Sequence, residues 1–431
     1  MTKRRIYFWF AMALWLMLTS LGAEARPQEA FRQVTLKNGL QLRYRVMKGE
    51  PLISMAAVIP IGMNYAKKNS IAHLLEHMIF RGSAAYSFSD ILNVTSRQGG
   101  TFSGFTTLYA TTFNFVAARE NFAKAFQVFN SALWSAALTE PHLALEKRIV
   151  LHEADMNYAL RLPGYPLLRY FYPEHGDTPE TVNTISARDL QDFYQSYYQP
   201  ANATYLVAGD FDPAAVTADL ERVKNVYGGS AAKISEAVIT DFTLPRGDIV
   251  TELNLSPYYF QVLLAYEYRG LSPTERMVLK FLSYAFGSSQ RIDYEKNQYQ
   301  EYYALTRSFG GKDYFGMYYL ERNQPFTEES YAKVKANLLN FVRRFKKVEL
   351  KKALKDFAFQ VEFEKIASNR AAADTVTYEI QRLIDPDNIT VDDLPVLKKI
   401  AQRDLDSVIR KCFGQPPTMT VLVKHKAGTG Q

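Results

Sequence analysis

The sequence predicts an α+β protein of two similar halves, each an antiparallel-rich sheet covered by helices. Three observations carry this reading. The chain has 431 residues, more than one hydrophobic core usually organises. Strand-like and helix-like segments come in runs and do not strictly alternate, which favours α+β layers over a doubly wound sheet. The order of elements in the first half returns in the second, as an internal duplication would produce. Composition agrees with a folded globular chain, at 47% hydrophobic and 22% charged residues. Its 28 Tyr and 28 Phe read mostly as packing.

Residues 1–25 read as a secretory signal peptide. Lys3, Arg4 and Arg5 make a basic start, an apolar stretch runs from Ile6 to Leu18, and Ala23-Glu24-Ala25 gives a small-x-small cleavage pattern. Those 13 apolar residues are short for a membrane span, which needs about 20, so an uncleaved anchor is the lesser reading. Removing residues 1–25 takes three basic and one acidic side chain from a net charge of +7, leaving about +5. That charge is too diffuse to argue for nucleic acid. A single cysteine, Cys412, excludes an internal disulfide. An exported, cysteine-poor chain fits a bacterial periplasm better than a eukaryotic secretory route.

Two alternating runs in 31–46 flank Asn38-Gly39, a hairpin signal. Residues 52–64 read as a buried strand, followed by helices over about 70–80 and 88–98. Gly99-Gly100 then punctuates a Thr- and aromatic-rich hairpin at 101–118. Helices follow at 119–137 and from Pro141, then a helix at 185–198 and a strand at 203–211. Gly, Ser and Pro mark a linker, placing domains at 26–232 and 249–431 around residues 233–248. The second half offers strands at 258–268, 316–322 and 418–424, and helices at 272–287, 327–345, 348–367 and 391–411.

The chemistry lies in IAHLLEHMIFRGS (71–83), where two imidazoles and a carboxylate sit in an apolar helix. His73 and His77 are i and i+4, so they stack on one face and can reach one metal ion. Glu76 can sit beside that ion and take a proton from a bound water. Zinc suits such a set, and a catalytic site needs a third protein ligand. The best source is 140–160, where Glu146 and Glu153 lie two helical turns apart in an apolar frame of Leu145, Ile149, Val150 and Leu151. His152 is about 100° around the helix from Glu153 and cannot easily share its face.

With these residues in place, the sequence resembles the pitrilysin family of zinc peptidases, the inverzincins that include pitrilysin, insulysin and the mitochondrial processing peptidase. The family's H-x-x-E-H is followed about 70 to 80 residues later by a glutamate ligand, and Glu153 lies 76 residues after His77. A second family glutamate, seven residues before that ligand, is matched by Glu146. RQGGTFSGFTTLYATTF (97–113) and ISARDLQDFYQSYYQPANATYLVAGDFD (185–212) continue the likeness, which extends over nearly the whole chain after the signal. The resemblance implies a zinc endopeptidase. His73, His77 and Glu153 would hold Zn²⁺, Glu76 would activate the attacking water, and Glu146 would support the catalytic site from behind the ligands. A peptide substrate would add as a strand along 101–107, making Ser103, Gly104 and Phe105 the candidate substrate-binding residues.

Two departures stand out. Ser103-Gly104 replaces the family's frequent Asn-Ala, and Asn297 falls where the family's second domain carries an arginine, with Tyr302, Tyr303 and Arg307 nearby. Short family members pair two chains to close a chamber, and in some pairs one chain holds zinc while the other supplies arginine and tyrosine. The resemblance therefore implies the zinc subunit of a heterodimer, with a homodimer as runner-up. No stretch after the signal is long and apolar enough to span a membrane, so no stable membrane insertion is expected after signal cleavage. The alternative of another class is a non-catalytic structural or chaperone-type subunit.

Overall fold

Two six-stranded sheets organise the chain, and the same strand order underlies both. The structure is a computed structural model. It describes residues 30–426 except 66, 97–99, 157–176, 237, 239–242, 254–255, 288–290, 294–297, 310, 323, 346–349 and 385–388. The chain divides into Met1–Arg32 and Gln33–Gln431. The signal segment 1–25, Gly99 and Asn297 lie outside the described residues.

The first half runs β1 (Arg32–Thr35), β2 (Gln41–Val46), β3 (Leu52–Ile59), α1 (Ile71–Ile79), α2 (Phe88–Ser96), β4 (Gly100–Thr106), β5 (Thr111–Ala118), α3 (Phe122–Trp134), α4 (Glu140–Met156), α5 (Pro179–Val182), α6 (Ala187–Tyr197), β6 (Thr204–Gly209) and α7 (Pro213–Arg222). The second runs β7 (Gly247–Leu253), β8 (Phe260–Arg269), α8 (Pro273–Gly287), β9 (Arg291–Asp293), β10 (Gln298–Phe309), β11 (Lys312–Glu321), α9 (Glu328–Phe345), α10 (Leu350–Ala367), α11 (Ala372–Ile384), α12 (Leu394–Leu397), α13 (Gln402–Phe413) and β12 (Met419–His425). The first sheet has the order β1-β2-β6-β3-β5-β4 and the second β7-β12-β8-β11-β10-β9. In each, an early strand lies parallel to the last one, β2 to β6 and β7 to β12. The strand after it is antiparallel to that last strand, and a hairpin closes the far side, β4–β5 and β10–β11. This is the duplication that the element order predicts.

Local chemistry explains several elements. Asn38-Gly39 turns the chain between β1 and β2, with Gly39 at φ +86°, a conformation that glycine adopts without steric cost. Ser186 and Asp189 form a reciprocal capping box on α6, and Pro213 starts α7 behind the cap Asp212. β3 is buried along nearly its whole length because both its faces are covered. Ile53, Met55, Ala57 and Ile59 join the first-half core with the helices. Ser54, Ala56 and Val58, on the opposite face, are also buried, and α11 from the second half packs on β3 and β6. Within the core, Trp134 Nε1 donates to the Tyr205 hydroxyl at 2.9 Å, and that hydroxyl donates to Asn130 Oδ1 at 2.7 Å. Trp134→Ala is expected to destabilise the fold by about 3–5 kcal/mol, read as a shifted denaturation midpoint.

The second half departs from its sequence reading in detail. β10 occupies 298–309, where Tyr, Gln and Glu without clean alternation hide a strand. α11 goes unread, and 391–411 is not one helix but the turn Val391–Asp393, α12 and α13, interrupted by extended backbone at Ala401. No helix among the described residues is long and apolar enough to cross a membrane.

Candidate metal centre

α1 buries Ile71, Ala72, Leu74, Leu75, Met78 and Ile79, which anchors the helix and leaves His73 and His77 one turn apart on its remaining face. α4 packs beside it. The two imidazoles meet with Nε2 3.2 Å from Nε2. Glu153 Oε2 lies 3.5 Å from His77 Nε2 and 3.9 Å from His73 Nε2. Edges of a tetrahedron with bonds of about 2.0–2.1 Å are about 3.4 Å long, so the three atoms can ligate one zinc-sized ion. His152 has no place in this group, as its angular offset on the helix predicts.

Each imidazole is held from behind. His77 Nδ1 is 2.8 Å from Glu146 Oε2, and His73 Nδ1 is 2.8 Å from Asp177 Oδ2. Glu146 is almost fully buried and also takes the Arg81 Nε–H. Arg81 in turn lies over the Phe88 ring, 4.8 Å from its centroid. Lys147, a possible salt-bridge partner for these glutamates, donates instead to the Asn183 carbonyl at 3.2 Å.

Glu76 is buried in the same helix, and its Oε2 accepts from Thr106 Oγ1 at 2.9 Å. β4 approaches so closely that a Cβ on Gly104 would lie 2.8 Å from Glu76 Oε1. Glycine at 104 leaves that carboxylate its room. Burial raises the Glu76 pKa, against the opposing pull of His73, the Thr106 hydrogen bond and His77. Burial lowers the His73 pKa, but Asp177, Glu76 and Glu153 outweigh it and raise the value to about 9. With both imidazoles neutral, the state that metal ligation requires, the four carboxylates Glu76, Glu146, Glu153 and Asp177 and the one guanidinium of Arg81 leave a charge of three negative. Two facing nitrogen lone pairs add to that potential, so the donor set fits a divalent cation.

A cavity of about 620 Å³ opens over the centre, lined by Phe80, Phe88, Gly104, Phe105, Ile149 and Asp177 among others. Of the three candidate substrate-binding residues, Gly104 and Phe105 line it. Ser103 does not, and lies exposed on the same strand. β4 is the last strand of its sheet. All described lining residues fall within 63–177. Tyr302 and Tyr303 pack on Tyr319 and Tyr318 across the second sheet, and Arg307 donates to the Thr306 carbonyl.

A sequence model described as Insulinase (Peptidase family M16) matches residues 48–161, which contain both histidines and Glu76, Glu146 and Glu153. A second, described as Peptidase M16 inactive domain, matches residues 184–356. The chain belongs to peptidase family M16. The zinc protease PqqE of Helicobacter pylori is 27% identical over 216 residues, 45% of this chain and 47% of that protein. The chain thus spans about half the length of the curated relatives it matches. Among solved structures, a protease from Helicobacter pylori superposes with a TM-score of 0.73 at 19% identity, covering 92% of this chain and 100% of that one. The first half of the periplasmic protease PqqL from Escherichia coli superposes at 0.66 and 15% identity, covering 93% of this chain and 92% of that one. The M16 fold is therefore the two-sheet α+β architecture described above.

Arg81, Thr106 and Asp177 complete the site without having been read from the sequence. Arg81 carried a faint signal, four residues past His77 at the end of the helix. Thr106 and Asp177 carried none, since they lie 30 and 104 residues from their partners Glu76 and His73.

Proposed function

We propose that the chain is an exported zinc endopeptidase and the zinc-bearing subunit of a two-chain enzyme. The observation that supports the chemistry best is the convergence of His73 Nε2, His77 Nε2 and Glu153 Oε2 beside Glu76, a buried carboxylate outside that ligand group. Bound zinc would supply Lewis-acid polarisation of a peptide carbonyl and acidification of water. Glu76 would accept the proton of the attacking water and return it to the leaving amine. Burial raises its pKa, which makes the ionised carboxylate a stronger base. His73 and His77 act through Nε2, with Glu146 orienting His77 from behind. An extended peptide would pair along β4, the edge strand of its sheet, at Ser103, Gly104 and Phe105, and so run beside the cavity.

Residues 1–25 would be the cleaved signal, and the mature chain would work in the periplasm. Residues 26–232 would form the zinc-binding domain, 233–248 the linker, and 249–431 the domain without metal. Two observations favour a second subunit. Every described residue lining the cavity comes from the first half. On α10, Phe359, Phe363 and Ile366 form one face at i, i+4 and i+7 and are 68%, 50% and 60% exposed.

The test is zinc content and peptide cleavage of the purified mature chain. One zinc per chain with cleavage supports a peptidase that needs no partner. One zinc with cleavage only after a second M16 chain is added supports the two-chain reading. Zinc with no cleavage under either condition favours the non-catalytic subunit, and no zinc at all sinks the proposal. One further outcome concerns pH. The Thr106 hydroxyl stabilises ionised Glu76, so Thr106→Val is expected to raise the Glu76 pKa further. Cleavage needs the ionised form, and the acid limb of the kcat/KM profile should move to higher pH.

A further inference from the structure

His77 has its supporting carboxylate in Glu146, and the same arrangement is repeated on the other imidazole. Asp177 Oδ2 is 2.8 Å from His73 Nδ1, and its side chain is only 8% exposed. We propose that Asp177 is a positioning residue for His73. It accepts the Nδ1–H, selects the tautomer whose Nε2 lone pair faces Glu153 and His77, and strengthens that nitrogen as a metal donor. The inference rests on the zinc reading of His73, His77 and Glu153.

Three features carry it. The two carboxylates reach the two rings from different elements, Glu146 from α4 and Asp177 from the segment entering α5, yet engage the same ring atom at the same distance. Asp177 is also held in register with the histidine helix. Thr178 and Thr181 cap α5 reciprocally, and Thr181 Oγ1 bonds Ser70 Oγ at 3.0 Å, three residues before His73. Finally, Asp177 Oδ1 is buried with no hydrogen-bond partner among the described residues. A buried carboxylate with one oxygen unsatisfied is a poor choice for stability alone. Its remaining bond, to the imidazole, is where the residue acts.

The experiment titrates the full mature chain with zinc against a chromophoric chelator, and with Co²⁺ followed by its visible absorption, for wild type and Asp177→Asn. Asparagine keeps an acceptor oxygen in place and removes the charge. The expected result is zinc binding about 10–100-fold weaker, with a shifted Co²⁺ spectrum and an unchanged melting temperature of the metal-free protein. Wild-type zinc affinity in Asp177→Asn overturns the inference, as does a loss confined to the melting temperature. A second measurement needs no variant: ¹⁵N spectra of the histidines in the zinc-loaded wild type. Protonated Nδ1 and metal-bound Nε2 on His73 support the proposal, and Nδ1 ligation overturns it. If the wild type fails to bind zinc, the metal reading itself falls, a result distinct from wild-type affinity in the variant.

Discussion

Glu76→Gln is expected to keep zinc and lose peptide cleavage by about 10²–10⁴-fold, the range in which a positioned proton acceptor contributes. The zinc prediction follows from geometry, because the three atoms that converge on the ion position come from His73, His77 and Glu153 and not from Glu76. Glutamine has the same shape and can still accept the Thr106 hydroxyl, so the packing of α1 against β4 should persist. What it lacks is a basic oxygen. In the wild type the dominant influence on Glu76 is burial, which raises its pKa, while His73, Thr106 and His77 pull it back. Cleavage should therefore fall as pH drops through that raised pKa, and Glu76→Gln should flatten the limb as it lowers the rate. Metal analysis beside steady-state cleavage of a quenched peptide reads both parts. Cleavage by the variant at the wild-type rate would remove Glu76 from the mechanism, and loss of zinc would make it a ligand.

Glu146→Ala is expected to have the larger structural effect. Glu146 is about 1% exposed and joins two partners, the Arg81 guanidinium and the His77 imidazole. Removing it leaves a half-buried cation and a ring N–H with no acceptor, together with a void where a buried side chain stood. Breaking one side of such a pair costs about 3–5 kcal/mol, because the remaining charge stays desolvated. Zinc affinity should fall by about 10–100-fold as His77 loses its orienting acceptor. Urea unfolding of the metal-free chain measures the first and chelator competition the second. The double variant Arg81→Met/Glu146→Leu separates charge from packing. It should recover much of the stability, since no charge is stranded, and little of the zinc affinity, since His77 still lacks its acceptor. An unfolding midpoint for Glu146→Ala equal to that of wild type would refute this account of the pair.

Much of the centre was legible because its geometry is local. His73 and His77 at i, i+4 and Glu146 and Glu153 at i, i+7 are each set by helical periodicity within one element. The apolar residues around them specify which face turns inward, so the sequence defines both halves of the site. Why α1 and α4 bring those faces together is not local; the need for a third ligand pointed to 140–160, and the likeness to the pitrilysin family added the expected spacing to Glu153. The order of strands was partly legible in the same way. The early hairpin at Asn38-Gly39 and the buried runs at 52–64 and 258–268 follow from turn chemistry and hydrophobic patterning. β10 did not, since its mixed polar and aromatic residues show neither clean alternation nor helical spacing.

The sequence by itself determined that this chain carries two imidazoles and a carboxylate on one helix, two further carboxylates on another, and a duplicated α+β plan. The tertiary structure alone decided the rest. It brought Asp177 to His73 across 104 residues and Thr106 to Glu76 across 30, and it laid α11 of the second half over β3 and β6 of the first. The physical reason is the range of the information. Periodicity records what a residue does within its own element, where the backbone fixes the spacing. Which carboxylate ends up behind an imidazole depends on how separate elements pack, and that follows from the buried surfaces of the whole fold rather than from any short stretch of sequence.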